Sequence, residues 1–148
     1  MSEHSAEIQW TYSKHPEHPE TYSRDHVIIL ENGHSFSASA APAFFGNGAA
    51  ANPETLLLAA LASCHMLTFL AVAAKRGFPV ASYSDKATGV LGKNTEGRMA
   101  ITQCVLHPRI EFSNGNSPTA AELAAFHDSA HRNCFIANTL NAEVRIEN

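Results

Sequence analysis

Two cysteines, Cys64 and Cys134, stand where thiol chemistry can be built. Cys64 lies inside a long apolar run, Leu61-Ala62-Ser63-Cys64-His65-Met66, and Cys134 ends a second helical pattern, Ala130-His131-Arg132-Asn133-Cys134-Phe135. Cys64 is too deep in its helix for the N-terminal dipole to reach, and apolar surroundings alone raise a thiol's pKa. To act as a nucleophile it needs a cation brought from elsewhere in the fold. Cys134, at the negative end of its helix, suits a resolving thiol, which need not be ionised at rest. The asymmetry suggests a reactive cysteine and its partner. Cys104 shares the apolar side of a strand pattern with Leu106, Ile110 and Phe112 and reads as a small core residue.

A metal site is the competing chemistry. His127, His131 and Cys134 fall at i, i+4 and i+7, within about 60° of one helical face. With Cys64 or His65 nearby they would make four zinc ligands. The chain holds 9 histidines, so such spacing also arises on a solvated face by chance.

The elements that must position these residues follow from the pattern of the chain. Its 148 residues, 45% hydrophobic, are expected to form a single domain over 1–148 with a substantial core. The net charge of −4, from 10 basic and 14 acidic residues without long runs of either sign, leaves no footprint for nucleic acid. Met1-Ser2-Glu3-His4-Ser5 lacks the basic and apolar regions of a secretory signal, so a cytoplasmic location is expected. Thiols stay reduced there unless they are catalytic or sensing.

Glu7 to Tyr12 and Arg24 to Leu30 read as strands, with Glu31-Asn32-Gly33-His34 turning into a third. Phe44-Phe45-Gly46-Asn47-Gly48 reads as a flexible, partly apolar loop. Asn52, Pro53 and Glu54 then open a helix that Lys75-Arg76-Gly77 closes. No charge interrupts Thr55 to Ala74, yet these ends belong to the central helix of a globular core, and no membrane association is expected. Ala81 to Leu91 and Arg98 to Phe112 read as strands around a turn near Lys93-Gly97. A second helix starts at Ser117-Pro118, or at a capping box of Thr119 and Glu122, and runs to about Cys134. A short turn, Ile136 to Leu140, precedes a last strand, Glu143 to Ile146. The class is α+β.

Asn52-Pro53-Glu54-Thr55-Leu56 followed by Ala60-Leu61-Ala62-Ser63-Cys64 resembles the first signature of the OsmC/Ohr superfamily, the osmotically inducible and organic-hydroperoxide-resistance proteins. Ala130-His131-Arg132-Asn133-Cys134 with Asn138 resembles the second. His65 after the first cysteine and Phe135 after the second depart from the residues usual there, which marks a divergent branch. The resemblance implies an OsmC-like fold: antiparallel sheets packed around two helices, a long buried central helix, and an intertwined homodimer. It also implies a cysteine peroxidase acting on organic hydroperoxides, with no cofactor beyond an external dithiol reductant. Cys64 would form a sulfenic acid and then a disulfide with Cys134, assisted by Glu54 and by an arginine, here Arg24.

On a straight helix Glu54 lies about 15 Å and roughly 80° from Cys64, so either Arg24 bridges the gap or Glu54 serves another subunit. His65 is a candidate proton donor to the leaving alkoxide. Leu67, Phe69, Phe44, Phe45 and Phe135 are candidates for an apolar substrate wall. Beyond the peroxidase and the zinc site, a non-catalytic small-molecule-binding protein of the same fold is the remaining alternative.

Overall fold

Strands form where β-branched residues alternate and a glycine can turn the chain back. We describe a computed structural model covering residues 1–147. Residues Met1–Leu56 make one compact unit, and a second begins at Leu57.

In the first unit, β1 (Ala6–Gln9), β2 (His26–Leu30) and β3 (Ser35–Ala38) form an antiparallel sheet in the order β1-β2-β3. Gly33 takes φ 81° between β2 and β3, a left-handed conformation that a Cβ disfavours, and donates its N–H to Leu30 O at 2.8 Å. β1 is shorter than the strand read from sequence, and β2 starts at His26 instead of Arg24. The cause is a loop that draws residues 10–25 away from the sheet. Trp10 Nε1–H donates to Ser23 O at 2.9 Å, and Lys14 bridges to Tyr22.

The segment read as a flexible, partly apolar loop has defined local geometry. Pro42–Phe44 is a single 3-10 turn, after which Phe45 adopts φ 62°. At Gly46 a Cβ would sit 1.6 Å from Ala40 O, so only glycine fits.

α1 (Pro53–Lys75) is capped as its sequence foretells. Asn52 Oδ1 accepts the Thr55 N–H at 2.9 Å while Thr55 Oγ1 accepts the Asn52 N–H at 3.2 Å. Gly77, at φ 82°, stops the helix. Its buried residues are Leu61, His65, Phe69 and Ala73, one every four positions and therefore a single stripe. Leu58, Ala62, Cys64 and Val72 flank the stripe and are partly buried, while the opposite side of the helix is open within the chain. Ala60, Ser63 and Ala71 are exposed, and Leu67 is 60% exposed. By length and composition α1 also meets the test for a membrane span.

The second unit contains two sheets. β4 (Val80–Ser84) pairs with β7 (Arg109–Phe112), while β5 (Thr88–Lys93), β6 (Met99–Leu106) and β8 (Glu143–Ile146) form a sheet in the order β5-β6-β8. Each of the two long strands read from sequence is therefore split between two sheets. Pro108, which lacks a ladder donor, separates β6 from β7, and Asp85 Oδ1 accepts the His107 N–H at 2.8 Å across the break. The alternation survives: Cys104 and Leu106 are fully buried, Ile110 and Phe112 partly.

β8 runs parallel to β6, where antiparallel pairing was expected. Parallel neighbours need a crossover, and α2 (Ala120–Asn133) and α3 (Phe135–Thr139) supply it. The capping box is the true start of α2: Thr119 Oγ1 accepts the Glu122 N–H at 3.2 Å, and Glu122 Oε2 accepts the Thr119 N–H at 2.8 Å. Two apolar clusters result. Leu61, Cys104, Leu106 and Cys134 form one, and Phe69, Ala73, Phe126 and Ala130 form the other. The fold is mixed α+β, as the sequence indicated.

Candidate functional site

Three helices bring the two thiols together. Cys64 projects from the middle of α1 and packs, half-buried, against the cluster that contains Cys134. Cys134 is fully buried and lies at the junction of α2 and α3. It closes α2 and also caps the start of α3, where its Sγ accepts the Ala137 N–H at 3.4 Å. The expectation that Cys134 feels only the negative end of a helix is thus corrected, because the chain restarts a helix at the next residue.

Burial nevertheless dominates and raises the Cys134 pKa. The Ala137 N–H works against it, and the neighbouring Cys64 side chain adds to it through hydrogen bonding and charge. All three cysteines are free thiols. Cys104 is fully buried in the same cluster, and burial raises its pKa, in keeping with a core residue. The arrangement is a half-open thiol beside a buried, protonated one.

Next to this pair lies a buried polar group that the sequence reading missed. His65 and His127 are 1% and 3% exposed, and His65 Nε2 lies 3.0 Å from His127 Nδ1. The rings are nearly parallel, at 8°, and Phe69 packs on His127 with centroids 4.5 Å apart. Burial lowers the His65 pKa from 6.5 to about 4, helped by the charges of His127 and His131. Burial also lowers that of His127 to about 4, against a smaller upward pull from Asp128. Both rings are neutral at pH 7. His65 therefore carries no imidazolium proton at pH 7. The spacing Leu61, His65, Phe69 was the available signal, since it puts His65 in the buried stripe.

The zinc alternative is not assembled. Among the described residues no group of three or more His, Cys, Asp or Glu side chains is placed to hold a metal ion. His127 is turned to His65, and Cys134 to the Ala137 N–H.

Arg24 and Glu54 both belong to the first unit. The Arg24 guanidinium donates to Thr21 Oγ1 at 2.9 Å and to Tyr22 O, and lies 4.0 Å from the Tyr22 ring centroid and 5.3 Å from that of Phe45. It lines a cavity of about 340 Å³ together with His15, Ser23, Asp25, Phe45 and Asn47. His15 fastens this loop: its Nδ1 accepts the Glu17 and His18 N–H groups, and its Nε2–H donates to Phe45 O at 3.1 Å. Glu54 Oε2 is buried and has no hydrogen-bond partner among the described residues. The Arg24–Glu54 ion pair expected from sequence is not among the ion pairs of the described residues, where Arg24 is folded back on its own loop. Of the proposed apolar wall, Phe69 is core, whereas Phe44, Phe45, Leu67 and Phe135 are exposed, Phe135 at 81%.

Residues 46–148 match the family model described as OsmC-like protein. No curated relative matches the chain. Among solved structures, an OsmC-like protein of unknown function from Vibrio cholerae is 42% identical, with 99% of each chain covered and a TM-score of 0.92. An organic hydroperoxide resistance protein from Elizabethkingia anophelis is 21% identical over 100% of this chain and 97% of the other, with a TM-score of 0.73. The organic hydroperoxide resistance protein OhrB of Bacillus subtilis is 19% identical over 97% and 96%, with a TM-score of 0.67. At those identities the last two establish the likeness of fold.

Proposed function

The chain belongs to the OsmC-like protein family, and from that premise we propose that it is a thiol-dependent peroxidase that reduces organic hydroperoxides. The observation that carries this reading is the side-by-side placement of a half-exposed Cys64 and a buried Cys134. The names of the Elizabethkingia and Bacillus relatives point to hydroperoxides as the substrate class.

The Cys64 thiolate attacks the distal oxygen of the peroxide. The O–O bond breaks, the electron pair leaves with the alkoxide, and a proton from solvent makes it an alcohol while Cys64 becomes a sulfenic acid. Cys134 then loses its proton and attacks the sulfenic sulfur. Hydroxide departs and leaves as water with that proton, and a Cys64–Cys134 disulfide remains. An external dithiol returns both cysteines to thiols by exchange, and no other cofactor enters the cycle. A buried resolving thiol suits this order, since it reacts only once Cys64 has been oxidised.

Arg24 supplies the cation that a Cys64 thiolate requires, and Glu54 orients it. A buried carboxylate oxygen without a partner and a guanidinium with unpaired N–H groups are complementary, which supports their meeting in a homodimer. The exposed face of α1 is the apolar surface that such a dimer would cover. The reaction is assigned to the cytoplasm, where dithiol reductants are at hand.

The test adds one equivalent of an organic hydroperoxide to reduced protein and maps the products by peptide mass spectrometry. A linked Cys64–Cys134 peptide, formed faster than with hydrogen peroxide and absent in Cys64→Ser, is the expected result. Two free thiols after the reaction would remove the peroxidase.

A further inference from the structure

The bond between His65 and His127 joins the two helices that carry the thiols, and the mechanism above gives it no part. It is the only side-chain hydrogen bond between α1 and α2 among the described residues. We propose that His65 and His127 are positioning residues that hold Cys64 and Cys134 in the register a disulfide requires. This rests on the reading of those two cysteines as the redox pair.

The placement of the four residues is what makes the bond effective. His65 follows Cys64 on α1, so any slide or rotation of His65 is shared by the thiol. His127 precedes Cys134 by about two helical turns and stands on the same face of α2. Phe69 and Ala73 of α1 also meet Phe126 and Ala130 of α2 in an apolar cluster, with Val72 and Leu123 packed against it, and such contacts do not by themselves select one register. A hydrogen bond of 3.0 Å between two buried rings does select it, and Phe69 on the face of His127 leaves that ring little freedom.

Disulfide formation is intolerant of slippage. Its Cβ atoms must come within about 3.5–4.5 Å, and a shift by one residue along a helix already moves a side chain by about 1.5 Å and about 100°. Breaking the imidazole bond therefore costs closure of the disulfide before it costs the fold. Both rings being neutral fits this role, because one N–H and one lone pair make the bond without burying a charge.

The experiment measures disulfide closure without any peroxide. Reduced protein is equilibrated with mixtures of oxidised and reduced dithiothreitol, where two protein thiols give up two electrons and two protons to the cyclic disulfide of the reagent. Alkylation and mass spectrometry then report the Cys64–Cys134 disulfide. His127→Phe keeps a ring against Phe69 and removes the bond, and should lower the closure equilibrium constant at least tenfold. His127→Asn, which places an amide near the position of Nδ1, should restore it to within threefold of the original. His65→Phe breaks the same bond from α1 and serves if the first variant does not fold, with circular dichroism reporting the fold of each.

Equal closure in the His127→Phe and unaltered proteins overturns the proposal. So does an Asn variant that fails as badly as the Phe variant while remaining folded. A protein that closes the disulfide with dithiothreitol, in this order of variants, yet ignores hydroperoxide would remove the peroxidase and leave the positioning role standing. An unaltered protein that forms no Cys64–Cys134 disulfide removes the redox pair and this role together.

Discussion

Mild acid should destabilise this protein through its two buried imidazoles. In the folded chain His65 and His127 take up a proton only near pH 4, whereas the ordinary value is 6.5. Because the folded pKa lies below the unfolded one, stability is intact above pH 6.5 and is lost as pH falls through the interval down to about 4. Two protons bound by the unfolded chain alone give a slope of about 2.7 kcal/mol per pH unit. Acidifying from about pH 7.5 to about pH 5 then removes roughly 4 kcal/mol, most of it below pH 6.5, a large part of the ~5–15 kcal/mol that holds a typical domain folded.

The interval stays above the range where carboxylates titrate. Glu122, held low by its hydrogen bonds to Thr119, and Glu143, held low by Arg145 and Gln103, lose their contacts at more acid pH. Urea unfolding followed by circular dichroism at about pH 7.5, 6.5 and 5 measures the slope directly. The double variant His65→Phe, His127→Phe should flatten it to less than a fifth. Wild-type stability constant within about 0.5 kcal/mol over the same interval, or a double variant with the original slope, would refute the reasoning.

Three further outcomes are expected. Iodoacetamide should label Cys64 in the folded, reduced protein, and Cys104 and Cys134 only after denaturation, because both are fully buried; early labelling of Cys134 by peptide mass spectrometry would contradict the packing. Gly46→Ala, with its Cβ 1.6 Å from Ala40 O, should lower thermal stability more than Gly33→Ala, where nothing lies within 4 Å and the loss of about 1 kcal/mol comes from the positive φ alone. Thr119→Ala removes the acceptor that holds the Glu122 N–H at 3.2 Å and should cost about 1 kcal/mol in urea unfolding.

Local signals were read most directly where a short stretch carries its own instruction. Asn52-Pro53 opens α1 and Gly77 ends it, because capping needs only neighbours along the chain. Glu143–Ile146 is a strand with the limits its pattern indicates. The two long strands were legible as alternation, yet Pro108 and the turn at Asp85 divide them among two sheets without disturbing which residues point inward. The loop after β3 is held by partners distant in sequence, His15 on Phe45 O among them, so its composition suggested more freedom than it has.

By itself the sequence determined the α+β class, the helix ends and the two cysteines worth watching, because capping, periodicity and residue type act over a few positions. Tertiary structure alone decided that Cys134 caps a new helix, that β8 lies parallel to β6, that α1 buries one stripe, and that His65 finds His127. Each of these depends on which atoms from distant segments remain to satisfy a buried donor, acceptor or apolar face. Nothing in a linear pattern names that partner, since folding selects it by excluding water from all the faces at once.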